Sequence, residues 1–140
     1  MANIRQSILV RTDLKFPKGL SEAQVSHLHF EHFRRCIMSG IDSTEDQLKS
    51  TILLSKDDWE WLKTPYIFVH GIPCLEALNY FIKIAKEKRV PYTEWFDTVF
   101  IEVSPTQRIV EHCLVGISLG PCESDAVKSV IGDLPILKSE

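Results

Sequence analysis

A set of charged and polar residues follows the first apolar segment of the sequence: Arg11, Lys15, Lys18, Gln24 and His27. If the apolar segment is a strand and a helix starts near Ser21, these residues lie where the strand ends and the helix begins. Free backbone N–H groups at a helix start attract anions, and lysines strengthen such a site. The set therefore predicts an anion-binding site, although a solvated turn with two surface lysines is the simpler interpretation of these residues alone.

The histidines His27, His29 and His32 lie at spacings that bring two imidazoles near one face of a helix. Such spacings are compatible with zinc. No second group of His, Cys or Asp follows at a supporting interval. We therefore predict core or surface histidines, with no metal ligand and no cofactor. His27 alone is more interesting, because it lies one turn after Gln24.

Asp97 follows an aromatic run that extends from Tyr92 to Phe96. A carboxylate at the end of a strand, flanked by apolar side chains, can be desolvated enough to act as a base or to orient water. The alternative is an ordinary turn aspartate. Asp97 is thus a candidate for hydrolytic chemistry.

The four cysteines, Cys36, Cys74, Cys113 and Cys122, are widely separated and form no CxxC pair. This spacing gives little support to a zinc cage or a disulfide scaffold, so we predict free, mostly buried thiols. Cys113 is adjacent to His112, but neighbours on a strand point to opposite faces. A Cys-His hydrolase is therefore not expected.

The segment from Gly116 to Pro121 contains Gly116 and Gly120 and leads into the last helical pattern. A glycine turn between a strand and a helix can present backbone N–H groups to a phosphate or a developing oxyanion. The segment is neither a Walker loop nor a dinucleotide-binding fingerprint. It predicts a weak anion site at Gly116 and Gly120.

Strand-like and helix-like segments alternate along the chain. Predicted strands cover Ile4 to Arg11, Tyr66 to Val69, Tyr92 to Phe96, Val99 to Val103 and Cys113 to Ile117. Predicted helices cover Ser21 to Ser39, the stretch after Pro73, and Glu123 to Ile131, with two short ones at Glu45 to Leu53 and Asp57 to Leu62. Ser21 followed by Gln24 fits a capping box for the first helix. The alternation indicates an α/β sandwich around a small, mostly parallel or mixed sheet.

The size and charge of the chain limit the classes of function. Its 140 residues predict a single domain, 1–140. The net charge of -3, from 16 Lys+Arg and 19 Asp+Glu, excludes a globally basic nucleic-acid binder but not a local basic face. We find no apolar run of membrane-spanning length and no signal-peptide pattern, so we expect a cytoplasmic protein without membrane contact.

Three segments together resemble the archaeal and eukaryotic (class II) peptidyl-tRNA hydrolases, of which this chain looks like a divergent member: RTDLKFPKGLSEAQVSH, TPYIFVHGIPCLEALNYFIKIAKEKRVPYTEWFD and VGISLGPCESDAVKSVIGDLPIL. The resemblance implies a three-layer α/β sandwich, with helices on both faces of a mixed, mostly parallel four-stranded sheet, and commonly a homodimer. It also implies hydrolysis, without a cofactor, of the ester that joins a peptidyl or aminoacyl group to tRNA in translation.

Carried over by position, the resemblance implies a site made by Lys18, Gln24, His27 and Asp97. Asp97 would orient or activate water, Lys18 would contact phosphate or developing negative charge, and His27 and Gln24 would support them. The predicted catalytic residues are therefore Asp97, His27 and Lys18. The predicted substrate-binding residues are Arg11, Lys15, Gln24, Gly116 and Gly120.

Several positions depart from the family pattern. Leu20 stands where the family has a second lysine, and Cys113 stands where it has a threonine. Each cationic contact that is lost weakens affinity for RNA. Two hypotheses follow: a peptidyl-tRNA hydrolase-like enzyme, or a non-catalytic or repurposed member of the fold that binds a small anionic ligand or a protein partner. If Lys15 or Arg11 occupies the cationic position that Leu20 leaves, the enzyme hypothesis is retained.

Overall fold

Strands and helices alternate along most of the described chain, which in this computed structural model comprises residues 3–14, 18–44, 47–50 and 52–137. At 18–21, 41–44, 47–50 and 100–103 only the backbone is described. The strands are β1 (Ile4–Arg11), β2 (Ile41–Thr44), β3 (Gln47–Ser50), β4 (Tyr66–Ile72), β5 (Tyr92–Ser104) and β6 (Gln107–Glu123). The helices are α1 (Lys18–Ser39), α2 (Lys56–Lys63), α3 (Leu75–Lys88) and α4 (Ser124–Ile131).

The central sheet has four strands in the order β4-β1-β6-β5. Strand β1 is parallel to β4 and antiparallel to β6, and β6 is antiparallel to β5. The predicted mixed sheet is confirmed, but the expectation that it is mostly parallel is wrong. Strands β5 and β6 are joined by a short turn after Ser104, and so short a connection can join only antiparallel neighbours.

Helices cover both faces of this sheet, which confirms the three-layer prediction. A first apolar cluster joins one face to α3 and α4 through Leu9, Ile117, Leu78 and Val127. A second cluster joins the opposite face to α1 through Ile8, Val115 and Leu28. Trp61 of α2 stacks on Phe33 of α1, which places α2 in the same layer as α1. Successive residues of β1 thus serve two cores, because strand side chains alternate between faces.

Helix α1 begins at Lys18, before the predicted capping box. Ser21 therefore lies inside the helix, and the capping box predicted there is wrong. A capping box is found instead at the N-terminus of α2. The Ser55 hydroxyl accepts from the Asp58 N–H at 3.0 Å, and the Asp58 carboxylate accepts from the Ser55 N–H at 3.2 Å. A carboxylate suits this position because the helix N-terminus carries partial positive charge.

The segment between α1 and α2 differs from its prediction. The backbone forms an antiparallel hairpin of β2 and β3, with Ile41 opposite Ser50, where a short helix from Glu45 to Leu53 was expected. Part of that expected helix, residues 45–46 and 51, lies outside the described residues. The other short helix, from Asp57 to Leu62, is confirmed as α2. The β-branched residues of 41–44 favour a strand over a helix.

Strands β5 and β6 are longer than predicted. Strand β5 continues through Asp97 and Thr98, so the two strands expected on either side of this pair are one. Strand β6 includes the whole expected glycine turn. Their register shifts twice, and the shift nearer the middle of β5 lies where Trp95 is opposite Gly116 and Phe96 is opposite Leu114. The extra residue on β6 makes a bulge beside Asp97, and bulges redirect nearby side chains.

Helices α3 and α4 lie where the sequence predicts them. Helix α3 carries Lys86 and Lys88 in its last turn, where positive charge interacts favourably with the helix dipole. Helix α4 ends at Ile131 and is followed by Gly132, whose φ of 59° suits glycine. In the part of the chain described above, no helix combines the length and the apolar character needed to cross a membrane.

Candidate active site

Asp97 is half-buried and lies within β5, rather than at a strand end as predicted. Its Oδ1 accepts a hydrogen bond from the backbone N–H of Thr98 at 2.8 Å, and its Oδ2 accepts one from Nε2 of Gln24 at 2.7 Å. Each carboxylate oxygen can accept about two hydrogen bonds, so one acceptor position remains on each oxygen. The carboxylate is thus held in one orientation and can still bind a water molecule.

Gln24 connects α1 to β5. Its side chain is buried, with only 2% of its surface exposed. The indole Nε1 of Trp95 donates to Gln24 Oε1 at 2.8 Å, while Gln24 Nε2 donates to Asp97. An indole N–H can only donate and an ionised carboxylate can only accept, so the amide has a single satisfactory orientation. The contacts therefore determine which end of Gln24 faces Asp97.

His27 lies one turn after Gln24 on α1 and stacks on Trp95. The ring centroids are 4.3 Å apart and the interplanar angle is 15°. His27 is otherwise exposed. Gln24, His27, Trp95 and Asp97 therefore form one group, which we call the carboxylate cluster. The structure brings together three of the predicted site residues, Gln24, His27 and Asp97.

Trp95 is the member that sequence reasoning did not single out. It lies in the aromatic run before Asp97, which suggested only an apolar environment. Two signals in the sequence could have identified it. Residues two apart on a strand share a face, so Trp95 and Asp97 point the same way. A partly buried tryptophan also needs an acceptor for its indole N–H, and Gln24 supplies one.

Arg11 ends β1 near Cys113, which is paired with Asp97 in the register of β5 and β6. Its guanidinium donates to the Leu114 carbonyl at 3.0 Å and forms an ion pair with Asp13 at 2.7 Å. This hydrogen bond to Asp13 raises the pKa of Arg11 above its ordinary value, against the opposing effect of burial. Arg11 therefore carries a fixed positive charge beside β6, already partly neutralised by Asp13.

The thiol of Cys113 is not activated by these surroundings. Burial raises its pKa, the Arg11 charge opposes this, and Glu111, Asp13 and Asp97 raise it further. Nucleophilic thiols have lowered pKa values, so these contacts agree with the expectation that Cys113 is not a nucleophile. Cys36, Cys74 and Cys113 are only partly buried, and Cys122 alone of the four is buried, which corrects the expectation of mostly buried thiols. All four are free, as predicted.

The structure describes the side chain of neither predicted lysine. Lys15 lies outside the described residues, and Lys18 is described only as the first backbone position of α1. Lys18 thus starts the helix that carries Gln24 and His27. The roles predicted for Lys15 and Lys18 stay predictions.

Gly116 and Gly120 lie in β6, so the expected turn of free amides is wrong. The N–H of Gly120 donates to the Pro91 carbonyl at 2.8 Å. A Cβ at Gly120 would lie 2.6 Å from the Arg5 carbonyl oxygen, and one at Gly116 would lie 2.4 Å from that of Leu9. These glycines permit close backbone packing against β1.

The three histidines of α1 do not share one site. His27 stacks on Trp95, His29 bonds through Nδ1 to Gln6 Oε1 at 2.9 Å, and His32 contacts Asp58 of α2. Burial lowers the pKa of His29 below its ordinary value. The three imidazoles therefore have different partners, and only His32 lies beside an acidic side chain of α2.

The chain is similar to proteins of one family over nearly its whole length. The family model described as "Peptidyl-tRNA hydrolase PTH2" matches residues 4–137. A curated peptidyl-tRNA hydrolase of Sulfurisphaera tokodaii is 31% identical over 134 residues, covering 93% of this chain and 95% of that protein. One of Methanopyrus kandleri is 28% identical over 137 residues, covering 96% of this chain and 98% of that protein.

One solved structure supports the fold alone. It is that of a protein of unknown function from Agrobacterium tumefaciens strain C58, with a TM-score of 0.55 and 13% sequence identity. The match covers 99% of this chain and 100% of that one. At so low an identity, the likeness concerns the arrangement of helices and strands and carries no information about chemistry.

Proposed function

Because this chain belongs to the peptidyl-tRNA hydrolase PTH2 family, we propose that it hydrolyses the ester that joins a peptidyl group to the terminal ribose of tRNA. The observation that supports this proposal is the hydrogen bond between Gln24 and Asp97, which joins two elements far apart in the sequence. It holds a carboxylate beside the helix that carries His27 and begins at Lys18. A positioned general base of this kind typically accelerates such a reaction by about 10²–10⁴-fold.

In the proposed reaction, Asp97 binds the attacking water through an oxygen with a free acceptor position. Asp97 takes a proton from that water as the water oxygen forms a bond to the ester carbonyl carbon. The carbonyl becomes a tetrahedral oxyanion, and its collapse breaks the bond to the ribose oxygen. The proton that Asp97 took from the water passes to this ribose oxygen as it leaves, and Asp97 returns to its ionised state. Gln24 contributes by fixing the carboxylate orientation, since positioning alone supplies a large part of such catalysis.

Positive charge near the cluster supports binding of the tRNA backbone. Lys18 at the start of α1 and Arg11 at the end of β1 are the groups we propose for this role, with Lys15 between them in sequence. Phosphate contacts dominate the affinity of proteins for nucleic acids. Because Leu20 replaces a family lysine and Asp13 partly neutralises Arg11, we propose weak tRNA binding that depends less on salt than binding by a member with both cations would. The homodimer that the resemblance implies is part of the same proposal.

The test is release of labelled peptide from peptidyl-tRNA by the purified chain and by Asp97→Asn. We expect this variant to lose at least about 100-fold in kcat/KM, the lower range for removal of a general base. Asp125→Asn is the matched control, because Asp125 is an exposed aspartate in the first turn of α4. Turnover by Asp97→Asn equal to that of the wild type would reject the mechanism.

A second candidate function is supported by the Arg11–Asp13 ion pair, together with Leu20. A member of the fold whose cations are missing or paired could bind a small anionic ligand or a protein without catalysis. The two functions predict different results for Leu20→Lys. A large gain in turnover supports the enzyme, whereas no turnover in either the wild type or Leu20→Lys supports the binding protein.

A further inference from the structure

Three possible metal ligands meet between α1 and α2. His32 and Cys36 are four residues apart on α1 and so lie on one face of that helix. Asp58, in the first turn of α2, faces them. Its Oδ1 is 2.9 Å from His32 Nε2, and Cys36 Sγ is 4.0 Å from the same nitrogen. All three ligand atoms lie within 4.8 Å of one another.

The geometry differs from that of a hydrolytic Cys-His-Asp triad. In such a triad the acid binds one ring nitrogen of the histidine and the nucleophile binds the other. Here both Asp58 and Cys36 approach Nε2 of His32. Burial, followed by the nearby Asp58, also raises the pKa of the Cys36 thiol, which opposes nucleophilic activity. Three ligand atoms that converge on one point suit a shared ion better than a proton relay.

The distances between the ligand atoms are close to those of tetrahedral zinc. Zn²⁺ binds nitrogen and oxygen ligands at about 2.0–2.2 Å and sulfur at about 2.3 Å, so neighbouring ligand atoms of a tetrahedron are roughly 3.3–3.8 Å apart. The observed 2.9 Å and 4.0 Å lie on either side of this range. Shifts of less than about 1 Å would therefore complete the geometry.

The surroundings hold the ligands in place. The Asp58 side chain is 5% exposed and that of His32 is 23% exposed. The second oxygen of Asp58 accepts from the Ser55 N–H at 3.2 Å, which leaves Oδ1 directed at His32. Such outer contacts orient metal ligands in known sites. The rings of Phe33 and Trp61 stack on each other next to the histidines of α1.

We propose that His32, Cys36 and Asp58 bind a zinc ion, with a fourth position open to water. A mixed set of thiolate, imidazole and carboxylate ligands suits Zn²⁺ better than Mg²⁺ or Ca²⁺, which prefer oxygen ligands. On binding, the thiol proton leaves to solvent, and His32 binds through Nε2 as the neutral imidazole that carries its proton on Nδ1. The ion links α1 to α2. This site lies about 12 Å along α1 from Gln24, at 1.5 Å per residue, so it is separate from the carboxylate cluster.

The test is titration of the full, chelator-treated chain with Co²⁺, a spectroscopic substitute for Zn²⁺. We expect the intense visible bands of tetrahedral Co²⁺ and a sulfur-to-cobalt charge-transfer band in the near ultraviolet. Cys36→Ser removes the charge-transfer band and weakens Zn²⁺ competition at least about 100-fold, since loss of an outer partner alone costs roughly 10–100-fold. Cys74→Ser, a change of another partly buried thiol outside α1, leaves both unchanged.

A second measurement uses the wild-type chain and does not depend on the folding of a variant. Zn²⁺ is expected to slow alkylation of Cys36 by iodoacetamide at least about 10-fold, with no effect on Cys74, as followed by mass spectrometry. The proposal is overturned if Co²⁺ gives no tetrahedral spectrum, if the charge-transfer band survives Cys36→Ser, or if Zn²⁺ protects both thiols equally. Peptide release by the carboxylate cluster is not a readout of this test.

Discussion

Gln24 lies between a group that can only donate and a group that can only accept a hydrogen bond. Trp95 donates to its oxygen and Asp97 accepts from its nitrogen, so the three side chains form a directed chain. Because Gln24 is buried, water is not available to replace a lost partner. A buried polar atom left unpaired costs about 1–3 kcal/mol. The orientation of Asp97 therefore depends indirectly on the indole N–H of Trp95.

At this scale we expect Trp95→Phe to impair the proposed hydrolysis while the Asp97 carboxylate remains. The ring remains for His27 to stack on, while the N–H is lost and Oε1 of Gln24 has no donor. We expect kcat to fall about 10-fold with little change in KM, and the free energy of unfolding to fall by about 1–2 kcal/mol. Peptide-release kinetics and urea denaturation measure these changes. Trp59→Phe, at an exposed tryptophan, is the control. A kcat of Trp95→Phe equal to that of wild type would contradict a positioning role.

At the scale of elements, β6 is the strand on which the arrangement of the site depends. It pairs with β1 on one side and β5 on the other, and its bulge lies opposite Trp95 and Phe96. Gly116 at this bulge has no space for a side chain, because a Cβ would meet the Leu9 carbonyl oxygen at 2.4 Å and Leu28 at 2.8 Å. The first contact is with backbone, which cannot move without disturbing β1.

We therefore expect Gly116→Ala to lower the free energy of unfolding by at least about 2 kcal/mol, within the range for overpacked sites. Gly71→Ala is the comparison, because its Cβ would meet the side chains of Thr12 and Leu137 at 2.9 Å and 3.1 Å, which can adjust. We expect Gly71→Ala to lower the free energy of unfolding by about 1 kcal/mol less than Gly116→Ala does. Urea denaturation of both variants measures the difference, and equal losses would show that backbone contact is not the cause.

Much of this fold and part of the site could be predicted from the sequence. The short apolar, β-branched segment located β1, which is buried on both faces, and the helical patterns located α3 and α4, which each bury one face. Contacts between distant elements could not be predicted in this way. The bulge at Gly116 depends on register, and the Gln24 contacts depend on how α1 packs on β5. The Ser21 box failed because α1 already begins at Lys18, so that Ser21 lies inside the helix. The family pattern, rather than periodicity, brought Gln24 and Asp97 together.

At the scale of the whole molecule, buried histidines make stability depend on pH. His70 is 2% exposed, and its Nδ1 donates to the Pro135 carbonyl at 3.1 Å. Its Nε2 is buried and has no partner among the described residues. Burial lowers the pKa of His70 below 6.5, the nearby Arg5 lowers it further, and backbone hydrogen bonds partly oppose both. The unfolded chain therefore takes up this proton at a higher pH than the folded chain does.

The sign of the effect follows from this difference. The stability contributed by neutral His70 is present above a pH of 6.5, its ordinary pKa, and is lost as the pH falls toward its lowered pKa. The loss is at most about 1.4 kcal/mol per pH unit for each histidine. We expect the free energy of unfolding to fall between pH about 7 and pH about 5, and to fall less in His70→Gln. Urea denaturation across this pH range measures the free energy of unfolding. Lys83→Gln, a change at an exposed residue, is the control. A decline that His70→Gln does not reduce would assign the effect to other groups, such as His29.

The position of β6 in the sheet also has a consequence for synthesis of the chain. Strand β6 is the last strand in the sequence but an interior strand of the sheet, between β1 and β5. While the chain emerges from the ribosome, β1 can pair with β4 but must expose its other edge until β6 has been made. Exposed strand edges are sites of aggregation. Strand β5, which carries Asp97, is joined to β1 only through β6, so a nascent chain that stops short of β6 has neither the complete four-stranded sheet nor an assembled carboxylate cluster.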